Sequence, residues 1–86
     1  MRLYGKIIKN SMILREEYAE EMESSGSYRE NLEKCFLSVC KKMGLEVPIW
    51  MKKNTREFVS FNKTIFFKEH FIDEVSFDYF EIKIQK

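Results

Sequence analysis

The residues best suited to chemistry in this chain are few. His70 is the only histidine, set in Lys68-Glu69-His70-Phe71-Ile72-Asp73-Glu74. With Glu69, Asp73 and Glu74 it offers four metal-ligating side chains within six residues. A zinc site needs three or four convergent ligands, mostly His and Cys. No second cluster supplies the remainder, so the segment reads as a solvated surface turn. Nucleophilic catalysis finds no better footing. No Gly-x-Ser-x-Gly elbow presents a serine. Cys35 and Cys40 have no neighbouring histidine to draw off a proton. Gly5, Gly26 and Gly44 are too far apart to cradle a phosphate. The sequence assigns no catalytic, cofactor-binding or metal-binding residue.

The basic segment is richer. Lys41, Lys42, Lys52, Lys53 and Arg56 fall within sixteen residues, opposed there only by Glu46, and Trp50 lies among them. Cations for phosphates and an aromatic ring for base stacking are how single-stranded nucleic acid is held. A nucleic-acid site would therefore use Lys52, Lys53, Arg56 and Trp50. The structural alternative has Lys41 and Lys42 complementing a helix dipole, Lys52 and Lys53 solvating a loop, and Trp50 in the core. The overall charge favours the alternative. Fifteen basic and fourteen acidic residues leave a net +1, too little for strong non-specific attraction to nucleic acid or anionic lipid.

The elements that must position these side chains fit one small domain spanning residues 1–86. Residues 2–9 are β-branched and aromatic, as a strand requires. Asn10-Ser11 suits a two-residue turn, and residues 12–20 return as a second strand. Pairing Lys9 with Met12 would bring Leu3, Ile7, Leu14 and Tyr18 to one buried face. Residues 21–26 read as a flexible loop. Ser27 and Glu30 form a capping box, which starts a helix. Tyr28, Leu32, Cys35, Phe36, Val39, Cys40 and Met43 give it one apolar stripe. Gly44 is its left-handed cap. Cys35 and Cys40, about 140° apart around the axis, read as reduced core thiols. Asn54 or Thr55 caps a second, short helix to about Asn62, with Phe58 and Phe61 inward. Residues 63–67 fit either a short strand or an extended loop, and Lys68 to Asp73 a helical turn. Residues 76–85 form a closing strand with Phe80, Ile82 and Ile84 alternating inward. The fold class is α+β: a small antiparallel sheet, built from the N-terminal hairpin and the C-terminal strand, covered by the long helix and the short one.

Phe66-Phe67 and Tyr79-Phe80 are adjacent aromatic pairs. In extended backbone one member of each must point away from the core, to be covered by the second helix or by a partner chain. Tyr4-Gly5-Lys6-Ile7-Ile8-Lys9, Pro48-Ile49-Trp50-x-Lys52-Lys53-Asn54, Phe71-Ile72-Asp73-Glu74 and Phe77-Asp78-Tyr79-Phe80-Glu81-Ile82 resemble a group of small uncharacterised bacterial proteins. The resemblance covers most of the chain. It implies a bacterial, intracellular, stand-alone protein, and no activity, cofactor or partner. No stretch is apolar enough to span a membrane, and the lysine at position 6 interrupts any signal-peptide core. The expectation is a non-catalytic cytoplasmic module without a cofactor, binding a protein partner or a second copy of itself, with nucleic-acid binding as the alternative.

Overall fold

A computed structural model describes residues 1–21 and 26–85. The loop expected over residues 21–26 lies largely outside the described residues.

Strand β1 (Arg2–Lys9) turns into β2 (Met12–Glu20) through Asn10 and Ser11, at φ 52° and 64°. Two consecutive left-handed residues match the right-handed twist of the strands they join. Lys9 pairs with Met12 and Ile8 with Ile13, but Ile7 then pairs with Arg15. Leu14 is a bulge residue with no partner of its own. The extra residue shifts the register, so Leu3 faces Ala19 rather than Tyr18. The buried hairpin face expected from alternation is therefore half correct. Leu3 and Ile7 are buried, while Leu14 and Tyr18 are 58% and 49% exposed.

Helix α1 (Tyr28–Met43) begins where Ser27 Oγ accepts the Glu30 N–H at 3.2 Å. It ends at Gly44, whose φ of 66° suits a residue without a Cβ. Cys35, Phe36, Val39, Cys40 and Met43 are buried as the stripe predicts, both cysteines unpaired. Leu32 is only half-buried and Tyr28 is exposed, while the polar Asn31 is buried.

Helix α2 (Lys52–Phe61) has Met51 as its N-cap, three residues earlier than a cap at Asn54 would give. Asn54 acts from the helix's third position, its Oδ1 accepting the Met51 N–H at 2.8 Å. Its Nδ2 donates to Thr64 Oγ1 at 2.8 Å and to the Ile65 carbonyl at 3.2 Å. Phe58 is buried as expected, but Phe61 is 67% exposed, because it sits in the last helical turn and Asn62 reverses the chain at φ 58°. Residues 63–67 resolve as strand β3 (Lys63–Phe67), and residues 79–85 as β4 (Tyr79–Gln85).

All pairings are antiparallel, and the sheet order is β2-β1-β4-β3. The fold is α+β, with four strands rather than the three of the simplest expectation. Gly5 pairs with Ile82, and Ile82 with Thr64. These residues share the face under α1, together with Leu3, Ile7, Phe66, Phe80 and Ile84. Asn54 reaches Thr64 from α2, so both helices cover the same face. No helix among the described residues is long and apolar enough to cross a membrane.

Candidate functional site

The connector from Leu45 to Met51 decides how α1 and α2 sit together. The Ile49 N–H donates to the His70 carbonyl at 2.7 Å, and Glu46 Oε1 accepts the Ile72 and Asp73 N–H groups at 3.1 and 3.4 Å. These bonds tie the connector to the segment after β3. Pro48 is buried beside it. The arrangement delivers Trp50 to the seam between the helices.

Trp50 is half-buried in an aromatic cluster. Its ring centroid lies 5.6 Å from Phe36, 5.9 Å from Phe58 and 5.6 Å from Phe66. The two former contacts are edge-on, the favoured geometry for ring quadrupoles. The indole N–H donates to Thr55 Oγ1 at 2.8 Å. Trp50 thus has an apolar body in the core and a polar edge already satisfied by α2. A base-stacking role would require the indole to leave this cluster.

Residues of α1, α2 and the connector stand around Trp50. Between them lies an open groove of about 750 Å³. Phe36, Trp50 and Phe58 form its floor. Leu32 and Leu37 on α1, Val47 on the connector and Val59 on α2 form its walls. Leu37 is 45% exposed, Val47 44% and Val59 79%. These apolar walls face solvent between the two helices, and Arg29 and Glu33 edge the α1 side. Alternation and helical periodicity do not reveal this surface. Leu37 and Val59 fall off the buried stripe of their own helix, and only the tertiary pairing brings them together.

The residues of the nucleic-acid reading are distributed around this groove. Lys52, Lys53 and Arg56 are exposed along α2. Lys53 Nζ sits 5.4 Å over the Phe67 ring at the β3 edge, so it turns toward the sheet. Lys42 donates to the Tyr18 carbonyl at 2.6 Å and lies over its ring. The basic segment is therefore not one patch.

His70 differs most from the sequence expectation. It lies in a 3₁₀ turn (Lys68–His70) and is fully buried, not solvated. Nδ1 accepts the Phe67 N–H at 3.0 Å, and the ring packs edge-on to Phe66 at 5.6 Å. The turn folds back under the end of β3, which places the imidazole in the core. Since Nδ1 accepts, the neutral ring carries its proton on Nε2, which has no partner among the described residues. Glu69, Asp73 and Glu74 point to solvent. Among the described residues no three His, Cys, Asp or Glu side chains converge.

No protein-family model matches the chain, and searches of the curated proteins and of the solved structures gave no significant match. The functional reading rests on this chain's own geometry.

The open face of the sheet is the other exposed surface. Tyr4 and Tyr18 lie 5.6 Å apart there, with Arg2 5.3 Å over Tyr18 and paired to Glu20 at 2.8 Å. Its shallow depression of about 320 Å³ is lined by Tyr4, Lys6, Glu16, Glu81, Lys83 and Gln85. Phe67 and Tyr79 are the outward members of the two aromatic pairs, 6.1 Å apart. Lys53 of α2 reaches over the Phe67 ring, and Tyr79 is half-buried. The face mixes both charges with ring edges, as an exposed antiparallel sheet face does. The groove is the more apolar of the two surfaces.

Proposed function

We propose that this protein is a non-catalytic interaction module whose contact surface is the groove between α1 and α2. The observation that carries this reading is the apolar wall pair, Leu37 and Val59, left exposed above a floor of buried aromatics. Exposed apolar grooves rimmed by polar residues mark interaction sites. The floor supplies rigid aromatic area, the kind that anchors interfaces. A cytoplasmic location is part of the proposal. Two buried, unpaired thiols suit a reducing compartment.

Nucleic-acid binding through Lys52, Lys53, Arg56 and Trp50 is the less supported reading, because the indole is held in the aromatic cluster and Lys53 is turned toward Phe67. Binding of labelled single strands at low salt, lost steeply as salt rises, would revive it.

Random peptides displayed on phage and selected on the native protein test the docking reading. Binders should shift the amide resonances of Leu37, Trp50 and Val59, and should be lost in Val59→Glu, a change at an exposed position. Binders that shift resonances elsewhere and survive Val59→Glu would sink the proposal. Light scattering across a range of concentrations decides whether the partner is another copy.

A further inference from the structure

The groove's rim charges select among occupants, an inference that rests on the docking reading above. Helix α2 carries Lys52, Lys53 and Arg56 against one acid, Glu57. Glu57 is turned inward, its Oε1 accepting the Thr64 hydroxyl at 2.7 Å. No acidic residue stands in the first turn of α2, where two lysines instead add to the positive end of the helix dipole. That placement opposes helix stability and asks for an anion nearby. Lys52, Thr55, Arg56 and Val59 follow the i, i+3, i+4, i+7 spacing of one helical stripe. Thr55 and Val59 line the groove, and the stripe sets Lys52 and Arg56 next to them, outside the lining itself. Opposite them stand Arg29 and Glu33. Arg29 and Glu33 in the lining balance each other, and the exposed Lys52 and Arg56 beside it leave the α2 side with the excess of positive charge. Among the described residues, Arg29, Lys52 and Arg56 form no ion pair.

We propose that the groove takes an acidic amphipathic segment of a partner protein. Apolar side chains of the segment lie between Leu37 and Val59, and its carboxylates face Lys52 and Arg56. The α1 wall from Tyr28 to Leu37 spans nine steps, about 13 Å at 1.5 Å per residue. A helix of two to three turns matches that length. A second copy fits less well. A two-fold groove-to-groove contact sets each cationic rim against its own image, and like charges across an interface are costly. The chain's own acidic run, Glu16, Glu17 and Glu20, lies on β2, and using it would give an open-ended rather than a closed assembly.

Three synthetic helical peptides of fifteen residues test this. They share one Leu-rich face, lack tryptophan, and carry Glu, Gln or Lys on the flanks. Trp50, the only tryptophan, reports binding by its fluorescence, and amide shifts locate it. The Glu peptide should bind roughly tenfold or more tightly than the Lys peptide at low salt, with the gap closing as salt rises. The double variant Lys52→Glu/Arg56→Glu should reverse the order. Both positions are exposed, and acids in the first turns of a helix favour it, so the variant should keep the wild-type melt. Equal affinity for all three peptides, with shifts in the groove, would overturn the acidic-partner proposal and leave the docking reading standing. Preference for the Lys peptide would overturn it in the same way. Shifts only outside the groove, or no binding by any peptide, would overturn both. Concentration-dependent dimerisation that blocks peptide binding would make a second copy the occupant and overturn the acidic-partner proposal alone.

Discussion

Strand β1 has β4 on one side and β2 on the other, and these neighbours hold α1 by opposite chemistry. From β4, Phe80, Ile82 and Ile84 are all buried on the helix face. From β2, only Ala19 is. Its other residues on that face are Glu17 and Arg15, and Arg15 grips the helix end instead. Its guanidinium donates to the Lys42 carbonyl at 2.6 Å and the Met43 carbonyl at 3.4 Å. Lys42 returns a bond to the Tyr18 carbonyl. The sheet thus grades from an apolar centre to a polar edge. An edge strand that carries charges and a bulge resists pairing with other chains.

The largest effect should come from the apolar side. Ile82 is fully buried between Gly5 and Thr64. Ile82→Ala should cost about 2–5 kcal/mol in chemical denaturation, a large share of the roughly 5–10 kcal/mol available to a small domain. A loss below about 1 kcal/mol would mean that β4 is not the anchor of the core. Next comes Gly5, on the boundary between the two regimes. A Cβ built there would lie 2.5 Å from Val39 Cγ1 and 2.9 Å from Phe80 Cε1. Neither neighbour is the free end of a flexible chain. Gly5→Ala should therefore destabilise by about 1–3 kcal/mol, as overpacking does, although alanine suits a strand better than glycine. An unchanged midpoint would show that α1 can lift away from the sheet at little cost.

The same contrast explains what could be read in advance. Helix α1 was legible because its limits are local. Ser27 and Gly44 act within one turn of themselves. Strand β4 was legible because each of its alternating apolar residues meets the core. The register of β2 was not, since nothing in Met12-Ile13-Leu14 marks Leu14 as a bulge, and the shift shows only once Arg15 has a helix end to bond. Whether residues 63–67 pair was equally undecidable, because β3 is an edge strand fixed by β4 and by Asn54. His70 misled for a related reason. Its charged neighbours describe a surface turn, and only the fold-back under β3 buries the ring. The groove was half legible. Trp50, Lys52 and Arg56 stand out by type, but Leu37, Val47 and Val59 become a surface only when two helices are placed side by side.

Alkaline pH should weaken the apolar side first. Burial pushes the Cys40 thiol up to about 12, above the ordinary value near 8.5. The folded state therefore keeps a proton that the unfolded chain gives up. Stability from this group is full below about pH 8.5 and is lost as pH climbs toward 12. By pH 9.5 the loss should be on the order of 1 kcal/mol. The check is the difference in slope between the wild type and Cys40→Ala, which isolates this one thiol. Parallel slopes would mean that the thiolate is tolerated where it sits.

On the polar side the effects should be smaller. Arg15→Ala removes two bonds to the C-terminal carbonyls of α1, the shorter of which, to Lys42, is exposed to water. A loss of about 0.5–1 kcal/mol is expected, together with faster amide exchange at Gly44 and Leu45. A loss as large as that of Ile82→Ala would erase the contrast between the two neighbours of β1.

Leu14 sets the lower limit. By residue type it belongs with Ile82, a branched aliphatic in a strand, and simple alternation places it in the core. The bulge removes it. It has no partner in β1, and more than half of its surface is exposed. Leu14→Asn should then change stability by less than about 0.5 kcal/mol, as exposed substitutions do. Asparagine also accepts the irregular backbone of a bulge more readily than leucine. Thermal melts of wild type and variant should superimpose, with unchanged amide shifts in α1. A loss near 2 kcal/mol would place Leu14 inside the core, in the bulge-free register that pairs Ile7 with Leu14 and Leu3 with Tyr18. Arg15 would then point to the open face and could not reach the end of α1. One substitution at a bulge thus decides whether β2 is the polar edge of this sheet or a second apolar wall.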